Sequence, residues 1–212
     1  LKRGTYLMCP TATDDFAGAD SGSGGGWGSM NKQAAVTGTT TGSTSRRYQE
    51  ISGAKAGLVI GYFPFSEMCV VIFQFCPANI DASTRLRFQV KSVTTEGILA
   101  AAGFGIEINN ATLYGEGYGT TQGYSGSLGT VSAWVQYRVM IIHRPATPQI
   151  DFYLDTGSGF PSTPIGSITV SGNIPQANNA ATTYLLISAA NGAGTLDANL
   201  YLLSGVHVWI AD

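Results

Sequence analysis

Apolar residues along this chain recur at every second position. No segment of ten or more residues carries the i, i+3, i+4, i+7 spacing of an amphipathic helix. Leu86, Phe88 and Val90 alternate with Arg85, Arg87, Gln89 and Lys91, which predicts a strand with one wet face. Phe104, Ile106 and Ile108 alternate with Gly and Glu, and Ile150, Phe152 and Leu154 with Asp151, Tyr153 and Asp155. Met68–Cys76 is almost wholly apolar, as expected of a strand covered on both faces, and Trp134–Arg144 is mostly apolar at both parities. Two more runs rich in Tyr, Leu, Ile and Val, Thr182–Ala190 and Asn199–Ile210, close the chain. Clusters of Gly, Ser, Thr, Asn and Pro separate these runs: Ser21–Ser29, Thr37–Ser45, Tyr114–Gly129, Thr156–Pro164, Ser171–Ala181 and Asn191–Thr195. Strands divided by turn chemistry, with no helical spacers, predict an all-β antiparallel fold, a two-sheet sandwich or a barrel, of which the two-sheet antiparallel sandwich is the expected one. No fixed-period repeat and no linker divides the chain. The expectation is a single domain over residues 1–212, with 1–30 a partly extended N-terminal segment.

Composition narrows the function classes. The chain has 212 residues, long enough to bury a core without disulfide or metal staples. Only 11% of residues are charged, and glycine is abundant at 28 residues, so polarity comes from Ser, Thr, Asn and Gln. Such a surface repels its neighbours weakly and suits close packing in an assembly. The net charge is −2 and the longest basic run is Arg46-Arg47, which leaves no footprint for a nucleic-acid backbone. No apolar stretch approaches the roughly 20 residues that span a bilayer. The opening Leu1–Pro10 has two basic residues but no apolar region behind them, so no secretory signal is read there. Cys69 and Cys76 fall an odd number of residues apart on one strand, hence on opposite faces, and cannot bridge each other. With Cys9 they make an odd set of three, which points to reduced thiols and assembly in a cytosol. A bridge from Cys9 to one of the others stays open.

Three pieces of the chain carry a family resemblance. Thr13-Asp14-Asp15-Phe16-Ala17-Gly18-Ala19-Asp20, with a glycine patch and Trp27 behind it, looks like the opening of concanavalin A-like (lectin/laminin-G-type) sandwich domains in tailed-phage structural proteins. Trp134-Val135-Gln136-Tyr137-Arg138-Val139, leading into Ile150-Asp151-Phe152-Tyr153-Leu154-Asp155, resembles a strand and hairpin of the same fold. Leu200–Ile210 resembles the closing strand that pairs with the start of the domain. The resemblance implies a jelly-roll sandwich and a virion location, with assembly in the host cytoplasm. It also implies a homo-oligomer that contacts other virion proteins, and contact with a host surface glycan. Calcium is a cofactor of some family members, and Asp14, Asp15 and Asp155 would be its ligands here. The alternative for all three is turn chemistry.

Candidate chemistry is sparse. Leu154-Asp155-Thr156-Gly157-Ser158 mimics an aspartic-protease signature, but a hairpin turn accounts for it and no second strand-borne Asp-Thr/Ser-Gly exists. A glycoside hydrolase needs two carboxylates about 5–9 Å apart. Asp151 and Asp155 would stand about 13 Å apart along a strand, and Glu107 and Glu116 are isolated in sequence. His143 and His207 lie at no metal-ligand spacing and are expected on a sheet surface. The binding candidates are Tyr114, Tyr118 and Tyr124, aromatic faces expected in an exposed glycine-rich loop or hairpin, together with Trp27. The expected function is therefore a non-enzymatic virion protein, either capsid decoration or a tail-fibre knob, with glycan contact. A carbohydrate-active enzyme on the same fold and a bacterial adhesin domain are the alternatives.

Overall fold

A computed structural model describes residues 4–8, 48–52, 55–61, 65–77, 80, 84–92, 101–133, 135–177, 183–191 and 199–210. It is an antiparallel sandwich of two sheets. The strands are β1 (Gly4–Met8), β2 (Tyr48–Ser52), β3 (Lys55–Gly61), β4 (Cys69–Pro77), β5 (Thr84–Lys91), β6 (Gly103–Asn109), β7 (Thr112–Tyr118), β8 (Gln122–Thr130), β9 (Tyr137–Arg144), β10 (Gln149–Asp155), β11 (Gly166–Ile168), β12 (Thr183–Asn191) and β13 (Asn199–Ile210). One sheet has seven strands, in the order β1-β13-β4-β9-β10-β11 with β2 also on β13. The other has six, in the order β3-β12-β5-β6-β7-β8. The expected pairing of the chain's end with its beginning is present, since Gly4 lies opposite Ile210 and Met8 opposite Val206.

The period-two pattern becomes the core. Phe73 and Phe75 of β4 meet Phe88 of β5 across the sandwich, with ring centroids 5.5 and 4.9 Å apart, and Tyr137 stacks on Phe75 at 5.6 Å. Leu86, Val90, Ile106, Ile108, Val139, Ile141, Ile150 and Phe152 fill the rest, all fully buried. Rings at such separations add edge and offset-stacking attraction to the burial of their area. Close packing here depends on missing side chains. A Cβ at Gly115 of β7 would fall 2.3 Å from Cζ of Phe152, so glycine is what lets the aromatic ring reach the facing sheet.

One expectation is resolved and another changes. Of the loop or hairpin expected for the glycine-rich tyrosine segment, the structure has no loop but the hairpin. Tyr114–Gly129 falls in β7 and β8, paired from Thr112↔Thr130 to Tyr118↔Gln122, with register shifts on either side of Tyr114. The dense glycines mask the alternation, because Gly115 and Gly117 occupy the inward positions that apolar side chains would otherwise announce. His143 is not on a surface. It points inward from β9, stacks on Phe104 at 5.1 Å, and its Nε2 lies 2.7 Å from the Pro175 carbonyl oxygen. Burial drives its pKa down to about 4, so it stays neutral and its Nε2–H donates to that carbonyl. Cys69 is a free, buried thiol whose Sγ lies 3.9 Å from His143 Nδ1. Burial pushes that thiol's pKa well up.

Candidate functional site

The outer face of the six-stranded sheet collects the polar side chains that the strand alternation turns away from the core. Arg87, Glu107 and Tyr114 form one row across β5, β6 and β7, while Gln89, Gly105, Glu116 and Tyr124 form the next, reaching β8. Residues that are 9 apart in sequence, Glu107 and Glu116, thus become diagonal neighbours on adjacent strands. Gly105 lets the strands approach this closely, since a Cβ there would fall 2.1 Å from the Phe88 carbonyl oxygen.

A hydrogen-bond network ties the rows together. Arg87 Nη2 donates to Glu107 Oε1 at 3.2 Å, and the Tyr124 hydroxyl donates to Glu107 Oε2 at 3.4 Å. Gln89 Nε2 donates to Glu116 Oε1 at 2.5 Å. Gln122 Nε2 reaches both Glu116 Oε2, at 3.5 Å, and the Tyr124 hydroxyl oxygen, at 2.9 Å. Glu116 is fully buried and Glu107 is 4% exposed. Burial raises the Glu116 pKa to about 7; the Gln89 hydrogen bond and Arg87 oppose that rise, Glu107 adds to it, and Lys91 opposes it. Burial also lifts the Tyr124 phenol to about 12, helped by the negative charge of Glu107 and Glu116, so the hydroxyl remains a donor at neutral pH.

The face is closed over β5, where Gln89 and Lys91 are fully buried, and opens towards the edge strand β8, where Tyr124 is 47% exposed. There Glu107, Asn109, Tyr114, Tyr124 and Gly126 line a hollow of about 290 Å³. Tyr114 and Tyr124 stand edge to face with centroids 6.3 Å apart. The structure therefore unites two of the predicted binding tyrosines. Tyr118 shares their face but sits at the far end of β7 opposite Gln122, outside the hollow. Trp27, Asp14 and Asp15 lie outside the described residues.

Asp155 ends β10 on the other sheet. Its Oδ1 accepts the backbone N–H groups of Gly157, at 2.7 Å, and Gly159, at 2.8 Å, while Oδ2 accepts from Nε and Nη2 of Arg138. Burial pushes its pKa up, but Gly157, Arg138 and Gly159 outweigh that and hold the carboxyl below its ordinary value. This is the turn arrangement, with each oxygen already serving two donors. Among the described residues no three His, Cys, Asp or Glu converge as a metal-binding group. Asp151, its neighbour on the same face, pairs with Arg144 and accepts from Ser167 and Gln149.

Glu107, Asn109, Glu116, Gln89, Gln122 and Arg87 are the polar members of the site that sequence reasoning left unassigned. The available signal was the Tyr114-x-Glu116-x-Tyr118 alternation, which places polar groups on one face of a strand once the glycines between them are read as inward positions.

No protein-family model and no curated protein sequence matches the chain. Solved structures do. A protein of unknown function from Shewanella oneidensis MR-1 is similar with a TM-score of 0.63 at 16% identity, over 98% of this chain and 85% of that one. Peanut lectin is similar with a TM-score of 0.59 at 10% identity, over 100% of both chains. The β-glucanase of Bacillus licheniformis is similar with a TM-score of 0.58 at 12% identity, over 99% of both. At these identities the likeness is one of fold: the chain adopts the concanavalin A-like jelly roll, which a lectin and a glucanase share.

Proposed function

We propose that this chain is a non-enzymatic, lectin-like module that binds a glycan in the Tyr114–Tyr124 hollow. The observation that carries the reading is the hollow itself, two tyrosine rings beside Glu107 and Asn109 where the sheet face opens beyond the buried Gln89, Lys91 and Glu116. Aromatic faces accept the apolar side of a pyranose ring. The carboxylate, amide and phenol groups around them supply directed hydrogen bonds to its hydroxyls. The fold is one that peanut lectin also has, which agrees with this use of the sheet.

A second reading, glycoside hydrolysis, is favoured by one specific observation. Glu107 and Glu116 face the same way on adjacent strands, and Glu116 is held near neutrality in its titration, as a general acid would be. Against it stands access. A general acid must come within about 3 Å of the glycosidic oxygen, whereas Glu116 has no exposed surface and spends both oxygens on Gln89 and Gln122.

The wider setting proposed for the module is a phage virion, as a homo-oligomer among other virion proteins and exposed to host surface glycans. That part rests on the likeness of residues 13–20 with Trp27, of 134–139 and of 150–155 to domains of phage structural proteins, and on the low charge content. The experiment is binding of the purified chain to a glycan array, repeated with Tyr124→Ala and Tyr114→Ala, with chromatography of the bound glycans after prolonged incubation. Binding lost in both variants with glycans recovered intact supports the proposal. Release of shorter saccharides replaces it with the hydrolase reading. Light scattering of the same sample tests the oligomer, where a monomer would remove that part.

A further inference from the structure

The hollow has a sign of charge, and the sign restricts its ligand. Among the described residues its lining contains one carboxylate, Glu107, together with an amide, two phenols and a glycine, and neither Lys nor Arg. The nearest cation in the network, Arg87, keeps only 13% of its side chain exposed and spends Nη2 on Glu107 Oε1 at 3.2 Å. Glu107 Oε2 is turned the other way, towards the Tyr124 hydroxyl at the mouth. Behind Tyr124, Glu116 adds a second carboxyl that already receives amide protons from Gln89 and Gln122. An entering anion would meet Glu107 Oε2 and a Tyr124 hydroxyl already committed to it, with no guanidinium or ammonium among the described lining residues to pair with it. A neutral sugar can instead give its own hydroxyl protons to Glu107 Oε2 and to the Asn109 amide oxygen.

We infer that the Tyr114–Tyr124 hollow accepts uncharged glycans and rejects those carrying a carboxylate, sulfate or phosphate, with Glu107 as the residue that sets this preference. The inference rests on the glycan-binding reading above and adds the substrate class to it. Two like charges about 5 Å apart in a partly solvated site repel by about 1–3 kcal/mol, a factor of roughly 5 to 150 in affinity. With Arg87 offsetting part of that from behind Glu107, the discrimination is about tenfold. Salt should weaken that discrimination.

The test uses matched pairs on an array and in titration calorimetry: N-acetyllactosamine with its sialylated form, and neutral with uronate-containing oligosaccharides. The wild-type chain is compared with Glu107→Gln and Asn109→Lys. Neutral members should bind about tenfold tighter than their acidic partners. In Glu107→Gln, which removes the carboxylate and releases Arg87, the ratio should fall to about threefold or less. Asn109→Lys leaves the Arg87–Glu107 pair in place and puts a cation in the lining, so it tests the effect of charge in the hollow if Glu107→Gln fails to fold. It should weaken neutral ligands, which lose the amide acceptor, and strengthen acidic ones. Acidic glycans that bind as well as neutral ones, with binding still lost in Tyr124→Ala, overturn this inference and leave the glycan-binding reading standing. A neutral preference that folded Glu107→Gln leaves unchanged overturns the assignment to Glu107, and one that Asn109→Lys leaves unchanged overturns the charge-based preference itself. Failure of every glycan to bind overturns both.

Discussion

Replacing Glu116 by glutamine isolates the cost of burying a carboxyl in this sheet. The group has no exposed surface, and its pKa rises from 4.5 to about 7. In the unfolded chain it ionises near its ordinary value, so between about pH 4.5 and 7 the folded state holds more protons than the unfolded one. Stability contributed by the neutral carboxyl is therefore fully present below pH 4.5, declines as pH rises, and is lost above about 7. Each pKa unit corresponds to about 1.4 kcal/mol, which places the loss at roughly 3 kcal/mol. The glutamine side chain would keep the shape and mimic the protonated acid, offering both donor and acceptor, with Gln89 or Gln122 turning its amide to match. The variant should equal the wild type near pH 5 and exceed it at pH 8 by up to about 3 kcal/mol. For a chain of this size that is roughly 6 to 12 °C in Tm.

The wild-type profile alone does not measure this, because His143 works in the opposite direction. Its pKa falls to about 4 on burial, so the stability it contributes is present above about pH 6.5 and is lost as pH drops through 4. The two slopes offset each other between about pH 4.5 and 6.5. The difference between wild type and Glu116→Gln cancels the histidine and leaves the carboxyl. Urea or thermal unfolding of both proteins at roughly pH 5, 6, 7 and 8 gives that difference. A difference that does not grow with pH, or a variant less stable at the alkaline end, refutes the reasoning.

Other expectations follow from single contacts. Gly115→Ala would drive a methyl into the Phe152 ring and should cost about 1–3 kcal/mol of unfolding free energy, read by urea denaturation, while leaving the β7–β8 ladder itself intact. Asp155→Ala strips partners from the Gly157 and Gly159 amides and from Arg138, and should lower stability by about 2 kcal/mol with no effect on glycan affinity, since Asp155 lies on the other sheet. Cys69, buried and with its thiol held protonated, should resist alkylation until the chain unfolds. Peptide mapping by mass spectrometry that finds Cys69 labelled in the native protein would contradict its placement.

The two-period alternation of Leu86–Val90, Phe104–Ile108 and Ile150–Leu154 announces strands because each inward side chain is large and apolar; those residues form the core, with Leu154 half-buried against it. The Asn199–Ile210 run is recovered with the same bounds as β13. β7 and β8 escape this reading because Gly115, Gly117 and Gly123 take inward positions between the buried Leu113 and Leu128, where Phe152, Ile150 and Asn173 need the space. His143 escapes it for another reason. A lone polar residue in an apolar strand reads as surface until Phe104, Cys69 and the Pro175 carbonyl are known to surround it.

The candidate site divides along the same line. The tyrosines between residues 114 and 124 are visible in sequence because aromatic residues among glycines stand out locally. That Glu107 and Glu116 share a face, and that Arg87, Gln89, Gln122 and Tyr124 enclose them, follows from the pairing of β5, β6, β7 and β8. The sequence by itself determined the all-β class and which residues would be hydrophobic in their strands, since alternation is a property of neighbouring positions. The tertiary structure alone decided strand register and order. Register turns scattered polar residues into one network, and burial then sets the protonation of Glu116, which no local pattern encodes.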